Sequence, residues 1–148
     1  MMKFKNYYLL LFGSIVLFIL ALTAKKESID VNIGDTYYVM AYNQFYGLLS
    51  FFLVFFFILY GAFDLLKIML LKLLSKIHIF GSLFSILVLV FPYSIFNNPN
   101  DFPLFDNLLY INIALVVSFL LFLILQLLFI MNIFVSLIKK VKTLSASK

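Results

Sequence analysis

Four long apolar runs, separated by short polar stretches, organise this chain. The first runs from Tyr7 to Ala24, 18 residues, and follows Lys3 and Lys5. The second extends from Phe45 to Leu66, and the third from Ile77 to Phe96 with Pro92 near its far end. The fourth, Leu108–Ile138, has 31 residues. A hydrocarbon core about 30 Å thick needs about 20 apolar residues in a helix, so each run is long enough or nearly so. At a 1.5 Å rise per residue the fourth would measure about 46 Å and must tilt, bend or project. The pattern predicts an all-α fold, a four-helix polytopic membrane bundle, with helices over 7–24, 45–66, 77–96 and 108–138. Residues 25–44 and 97–107 become outer loops, Lys67, Lys72 and Lys76 a basic connector, and 139–148 a cytoplasmic tail. The second loop carries Pro99, Asp101, Pro103 and Asp106, which is turn chemistry. With no internal repeat and no long linker, residues 1–148 read as one membrane domain.

Composition removes the soluble alternative. Hydrophobic residues make up 66% of the chain, whereas soluble domains are nearer half apolar. A globule of this size still leaves roughly a third of its unfolded surface in water, so lipid is the solvent that fits. The absence of cysteine excludes disulfides, zinc–thiolate sites and iron–sulfur ligation. The first run has the basic start of a signal peptide, but Leu22, two before Ala24, suits a small-residue cleavage site poorly. A retained helix is expected.

The net charge of +5 comes from lysine alone and reads as topology rather than nucleic-acid binding. With the N-terminus inside, nine of the 11 lysines fall on the cytoplasmic side and five of the six acids fall outside. That asymmetry predicts four crossings with both termini cytoplasmic, in a bacterial inner membrane.

Few polar groups interrupt the runs. Asp64 sits near the cytoplasmic end of the second, with Lys67 three residues on as its expected helical partner. His78, the one histidine, is expected as a satisfied residue at interface depth. Gly81 and Ser85, with Ser82 beside them, form a small-residue pattern that lets helices approach. Asn112 and Gln126, two heptads apart, share a face and are expected to turn inward. No Gly-rich phosphate loop, nucleophile–base pair or metal-spaced cluster is visible, so neither enzymatic activity nor a cofactor or metal is expected.

One outer segment has a likeness. Ser28-Ile29-Asp30-Val31-Asn32-Ile33-Gly34-Asp35-Thr36-Tyr37-Tyr38-Val39-Met40-Ala41 resembles a stretch of subunit I of haem–copper cytochrome oxidases. There, His-Asp-Thr-Tyr-Tyr-Val-x-Ala-His-x-His opens a transmembrane helix, and Asp35 to Ala41 match its core. The likeness implies a helix running outward before the segment and one running inward after it, as the charge count also requires. It further implies kinship with the last four helices of that subunit. The family's haem-ligating histidines correspond to Tyr42 and Gln44, and its magnesium-binding histidine to Gly34. These replacements imply that the chemistry is lost. Apart from any kinship, Asp35 or Thr36 could cap a helix N-terminus. Tyr37, Tyr38, Tyr42 and Tyr46 suit the membrane–water interface, with Tyr38, Tyr42 and Tyr46 spaced as one helical stripe.

Two functional classes follow. The first is a non-catalytic accessory or scaffold subunit, with lipid and other membrane subunits or a second copy as partners and no nucleic acid. The alternative is a small transporter or channel with a polar path through Asp64, Asn112 and Gln126. For the oxidase likeness, a reduced-minus-oxidised spectrum of the purified protein is expected to show no stoichiometric haem band.

Overall fold

The structure, a computed structural model, describes residues 5–24, 28–33, 36–91 and 105–146. It is an all-α bundle of four helices carrying a small two-stranded hairpin. Helix α1 (Tyr8–Thr23) is followed by strands β1 (Ser28–Ile33) and β2 (Thr36–Ala41), then α2 (Tyr42–Leu65), α3 (Lys72–Val90) and α4 (Phe105–Ala146). Helices α2, α3 and α4 are long and apolar enough to cross a membrane, while α1 is a shorter apolar helix of 16 residues.

Each apolar run became a helix, with shifted bounds. Helix α3 begins at Lys72 rather than at Ile77, because Lys72 and Lys76 are exposed on its first turns instead of preceding it. Lysine stems can lie along apolar surface while the ammonium reaches water, so lysine does not end a membrane helix. Helix α4 runs for 42 residues, about 63 Å, so 139–146 continue the helix rather than forming a separate tail. The outer loop expected at 97–107 lies largely outside the described residues.

The other correction is the hairpin, where a loop running into a helix was expected. Ser28 to Ile33 alternates polar and apolar residues strictly, the period of a strand. β1 pairs antiparallel with β2 from Ser28↔Ala41 to Ile33↔Thr36, which leaves the two residues Gly34 and Asp35 to join them. Thr36 therefore sits in a strand, six residues before α2, and caps no helix. The residue flanking the start of α2 is Ala41, which has no side-chain cap. Tyr38 lies in β2, off the helical stripe, whereas Tyr42 and Tyr46 do stack along the start of α2, ring centres 5.6 Å apart.

The helices pair as α1 with α2 and α3 with α4. Contacts fix their directions. Ser50 Oγ donates to the Ser14 carbonyl at 2.9 Å, and Lys5 forms an ion pair with Asp64, so α1 and α2 run antiparallel along a shared length. Small residues set close approach: a Cβ on Gly81 would lie 2.8 Å from Leu125 Cδ1, and one on Gly13 would lie 3.0 Å from Leu83 and 3.1 Å from Leu53. Ser82 and Ser85, beside Gly81, are fully buried. Between the two pairs, rings fill the interior. Phe52 meets Phe122 edge-on at 6.1 Å and Phe56 meets Phe129 at 5.5 Å.

Helix α2 stops with a left-handed residue. Lys67 has φ 54°, and the bonds Lys67 N–H to Asp64 (3.1 Å) and Ile68 N–H to Phe63 (2.9 Å) close a Schellman-type terminus. A side chain in that region costs about 1–2 kcal/mol relative to glycine.

Gly81→Val is expected to lower the melting temperature followed by circular dichroism, at a cost of about 1–3 kcal/mol from overpacking against Leu125. Gly61→Ala, with no atom within 4 Å of the new Cβ, is expected to be neutral or stabilising.

Candidate functional site

Tyr60, His78, Gln126, Asn132 and Ser136 gather towards the end of the bundle that holds the α2–α3 connector, while the buried Ser14, Ser50, Ser85 and Ser118 lie farther along the helices. Tyr60 on α2, His78 on α3 and Gln126 on α4 form a chain of hydrogen bonds. Gln126 Nε2 donates to its own helix at the Phe122 carbonyl, 2.9 Å away. A carbonyl needs a donor, so that bond fixes which way the amide faces and turns Oε1 towards His78. His78 Nε2 therefore carries the proton and donates to Oε1 at 2.9 Å. Its Nδ1 is left as an acceptor, 3.1 Å from the Tyr60 hydroxyl, which donates to it. The ring is thus a neutral imidazole with both nitrogens used. The second Gln126 amide hydrogen points to Ser82 Oγ at 3.5 Å.

Aromatic rings enclose this chain. The Phe129 ring stacks on His78 at 4.6 Å and Phe56 meets it edge-on at 5.0 Å, while Tyr60 lies 4.9 Å from Phe129. His78 is 0% exposed. Because α3 starts at Lys72, His78 lies well over a turn inside the helix rather than at its start. It is satisfied, but as a core residue.

A second cluster fastens the connector to α4. Asn132 Oδ1 accepts from the Leu71 N–H at 2.9 Å, and its Nδ2 donates to Ser75 Oγ at 3.1 Å. Lys140 Nζ donates to the Leu66 carbonyl at 2.8 Å. Asn132 thereby satisfies the backbone amide that flanks α3, a role otherwise taken by a capping side chain, which α3 lacks.

The residues singled out by sequence divide. Asp64 pairs with Lys5 across α1, not with Lys67, because α2 ends at Leu65 and Lys67 has turned into the left-handed region. The Asp64 carboxylate also holds the Lys5 ammonium above its ordinary pKa. Gln126 turns inward as expected. Asn112 is half-buried on α4, 14 residues and therefore about 21 Å from Gln126 along the axis. Asp64 lines a cavity of about 770 Å³ that includes neither Asn112 nor Gln126. The three are not brought into one path. Thr36, Tyr38 and Gln44 are exposed at the hairpin and the start of α2, Tyr37 pairs with Asn32 across the hairpin, and Asp35 lies outside the described residues.

Sequence reasoning missed Lys5, Tyr60 and Asn132. Asn132 follows Gln126 by six residues, and an amide within an apolar run was the available signal. Tyr60 carries no such mark among so many aromatic residues.

Comparison with known proteins returned no family model, no curated relative and no solved structure that matches the chain.

Removing the Gln126 acceptor alone, by Gln126→Leu, is expected to destabilise the bundle by about 1–2 kcal/mol, because His78 keeps a buried proton with no partner. His78→Phe combined with Gln126→Leu should cost less than the sum of the single changes. A double-mutant cycle on unfolding in detergent is expected to give a coupling of about 0.6–1.7 kcal/mol.

Proposed function

We propose that this chain is a non-catalytic accessory or scaffold subunit of a larger membrane complex, crossing a bacterial inner membrane four times with both termini cytoplasmic. One observation carries the reading: Tyr60, His78, Gln126, Asn132 and Ser50 spend their polar atoms on joining helices to one another, and the outward faces are apolar. Of the best apolar window on α2, α3 and α4, 28%, 33% and 28% is buried within the chain, so most of that surface is left for lipid or for partner helices. Phe51, Phe55, Phe80 and Phe84 are among the rings that face outward. Exposed aromatic faces can pack on lipid chains or on neighbouring helices equally well.

The proposed topology has its own support. Although α1 has 16 residues, it lies along α2 from the Lys5–Asp64 pair past the Ser14–Ser50 bond, so the two occupy one slab of the membrane. Asp64, the connector lysines and Lys140 share an end, as the lysine asymmetry requires. Kinship with the oxidase segment is retained as part of the proposal; its helix would here open on a hairpin. The transporter alternative would need a common wet cavity, which Asp64, Asn112 and Gln126 do not line.

After mild solubilisation, blue-native electrophoresis is expected to show the protein in a band well above its own mass. Migration as a lone monomer would remove the subunit reading. Orientation is testable on a cysteine-free background. Val39→Cys in the hairpin is expected to react with a membrane-impermeant maleimide in intact cells, and Met69→Cys in the connector only after permeabilisation.

A further inference from the structure

At the connector end of the bundle a cavity of about 770 Å³ opens between the start of α1, the end of α2 and the start of α3. That volume lies in the range of small-molecule sites. Four lysines line it, Lys5, Lys67, Lys72 and Lys76, against a single carboxylate, Asp64. Asp64 is committed to Lys5, so the other three lysines line the cavity without a paired carboxylate among the described residues. The start of α3 adds to the field: its first turn contains no acid, and the side chain that accepts from its flanking Leu71 amide, Asn132, is neutral. Three lysines lining one cavity beside a helix N-terminus favour an anion.

The other walls are apolar. Phe63, Ile79, Tyr7 and Tyr60 line the cavity. Tyr7 stacks parallel to Tyr60 with centres 6.2 Å apart, which gives the inner part a flat aromatic wall. A soluble anion gains nothing from such walls, whereas an amphiphile gains from both parts. Lysines at the ends of apolar helices suit headgroup depth, and the apolar walls suit the adjoining hydrocarbon. We propose that this cavity binds the phosphate headgroup and glycerol region of an anionic phospholipid, with Lys67, Lys72 and Lys76 on the phosphate. Basic pockets at the cytoplasmic ends of transmembrane helices recognise such headgroups by the same physics. The assignment to the cytoplasmic leaflet rests on the orientation proposed above; binding itself does not, and it is measured in detergent, where the leaflet has no meaning.

The test is native mass spectrometry of the full chain in mild detergent, titrated with phosphatidylglycerol or with phosphatidylcholine of the same acyl chains. Phosphatidylglycerol is expected to be retained in preference. The triple change Lys67→Gln, Lys72→Gln, Lys76→Gln should weaken it on the order of 100-fold, from about 1 kcal/mol per lysine. The corresponding Lys→Arg triple should restore binding. A control with equal charge loss, Lys139→Gln, Lys142→Gln, Lys148→Gln, should bind as the unaltered protein does. Circular dichroism melting of each variant separates lost binding from lost folding, and Lys72→Gln alone supplies a milder variant. Equal uptake of the two lipids, or equal loss in both Gln triples, would overturn the proposal. So would displacement of the lipid by inorganic phosphate or glycerol 3-phosphate at matching concentration, which would make the cavity a soluble-phosphate site.

Discussion

The amide of Gln126 is the constraint on which the interior depends. Lipid offers no hydrogen-bonding partner, so a polar side chain placed at membrane depth is favoured when it finds one within the protein; among the described residues the buried Ser85 hydroxyl is an exception. Gln126 meets that condition by holding its own helix at the Phe122 carbonyl and the third helix at His78. Its orientation decides the tautomer of His78, and the tautomer decides that Tyr60 must donate. One side-chain amide thus determines how α2, α3 and α4 meet. The rings of Phe56 and Phe129 complete the arrangement by excluding other partners from the imidazole.

Around that point the bundle uses two kinds of contact. Within the helix pairs, Gly81 and the serines permit close approach, and backbone bonds such as Ser50 to Ser14 become possible, while Gly13 admits side chains of both α2 and α3. Between the pairs, where the axes are held apart, phenylalanine and tyrosine fill the space. The abundance of Phe therefore has two uses: interior filling at Phe56, Phe122 and Phe129, and outward cover at Phe51, Phe55, Phe80 and Phe84.

The helices were legible because apolar runs of membrane length have few other outcomes. The inward turn of Gln126 was legible because an amide in such a run needs a partner. Other features depended on competing signals. Lys72 and Lys76 read as a connector because lysine is costly in lipid, yet their stems ride on α3, and that shift buried His78. Asp64 had a partner at helical spacing in Lys67, but a Schellman-type turn removed it and tertiary packing supplied Lys5 from far along the chain. The hairpin was marked by strict alternation over Ser28 to Ile33, masked by a likeness that placed a helix nearby. Tyr60 and the lining of the lysine cavity had no local signature, since both arise only when three elements converge.

The fastening of the α2–α3 connector has a consequence for how the molecule is made. Synthesis delivers α1, α2 and α3 before α4, yet the partners of the Leu66 carbonyl, the Leu71 amide and the His78 Nε2 proton all lie on α4, at Lys140, Asn132 and Gln126. The first hairpin can close early through Lys5 and Asp64, whereas the third helix enters the membrane with debts in its hydrogen bonding that only the last helix clears. The third helix therefore gains these partners only when α4 packs against it, and a nascent chain halted before Gln126 leaves the His78 Nε2 proton without the acceptor it has in the bundle.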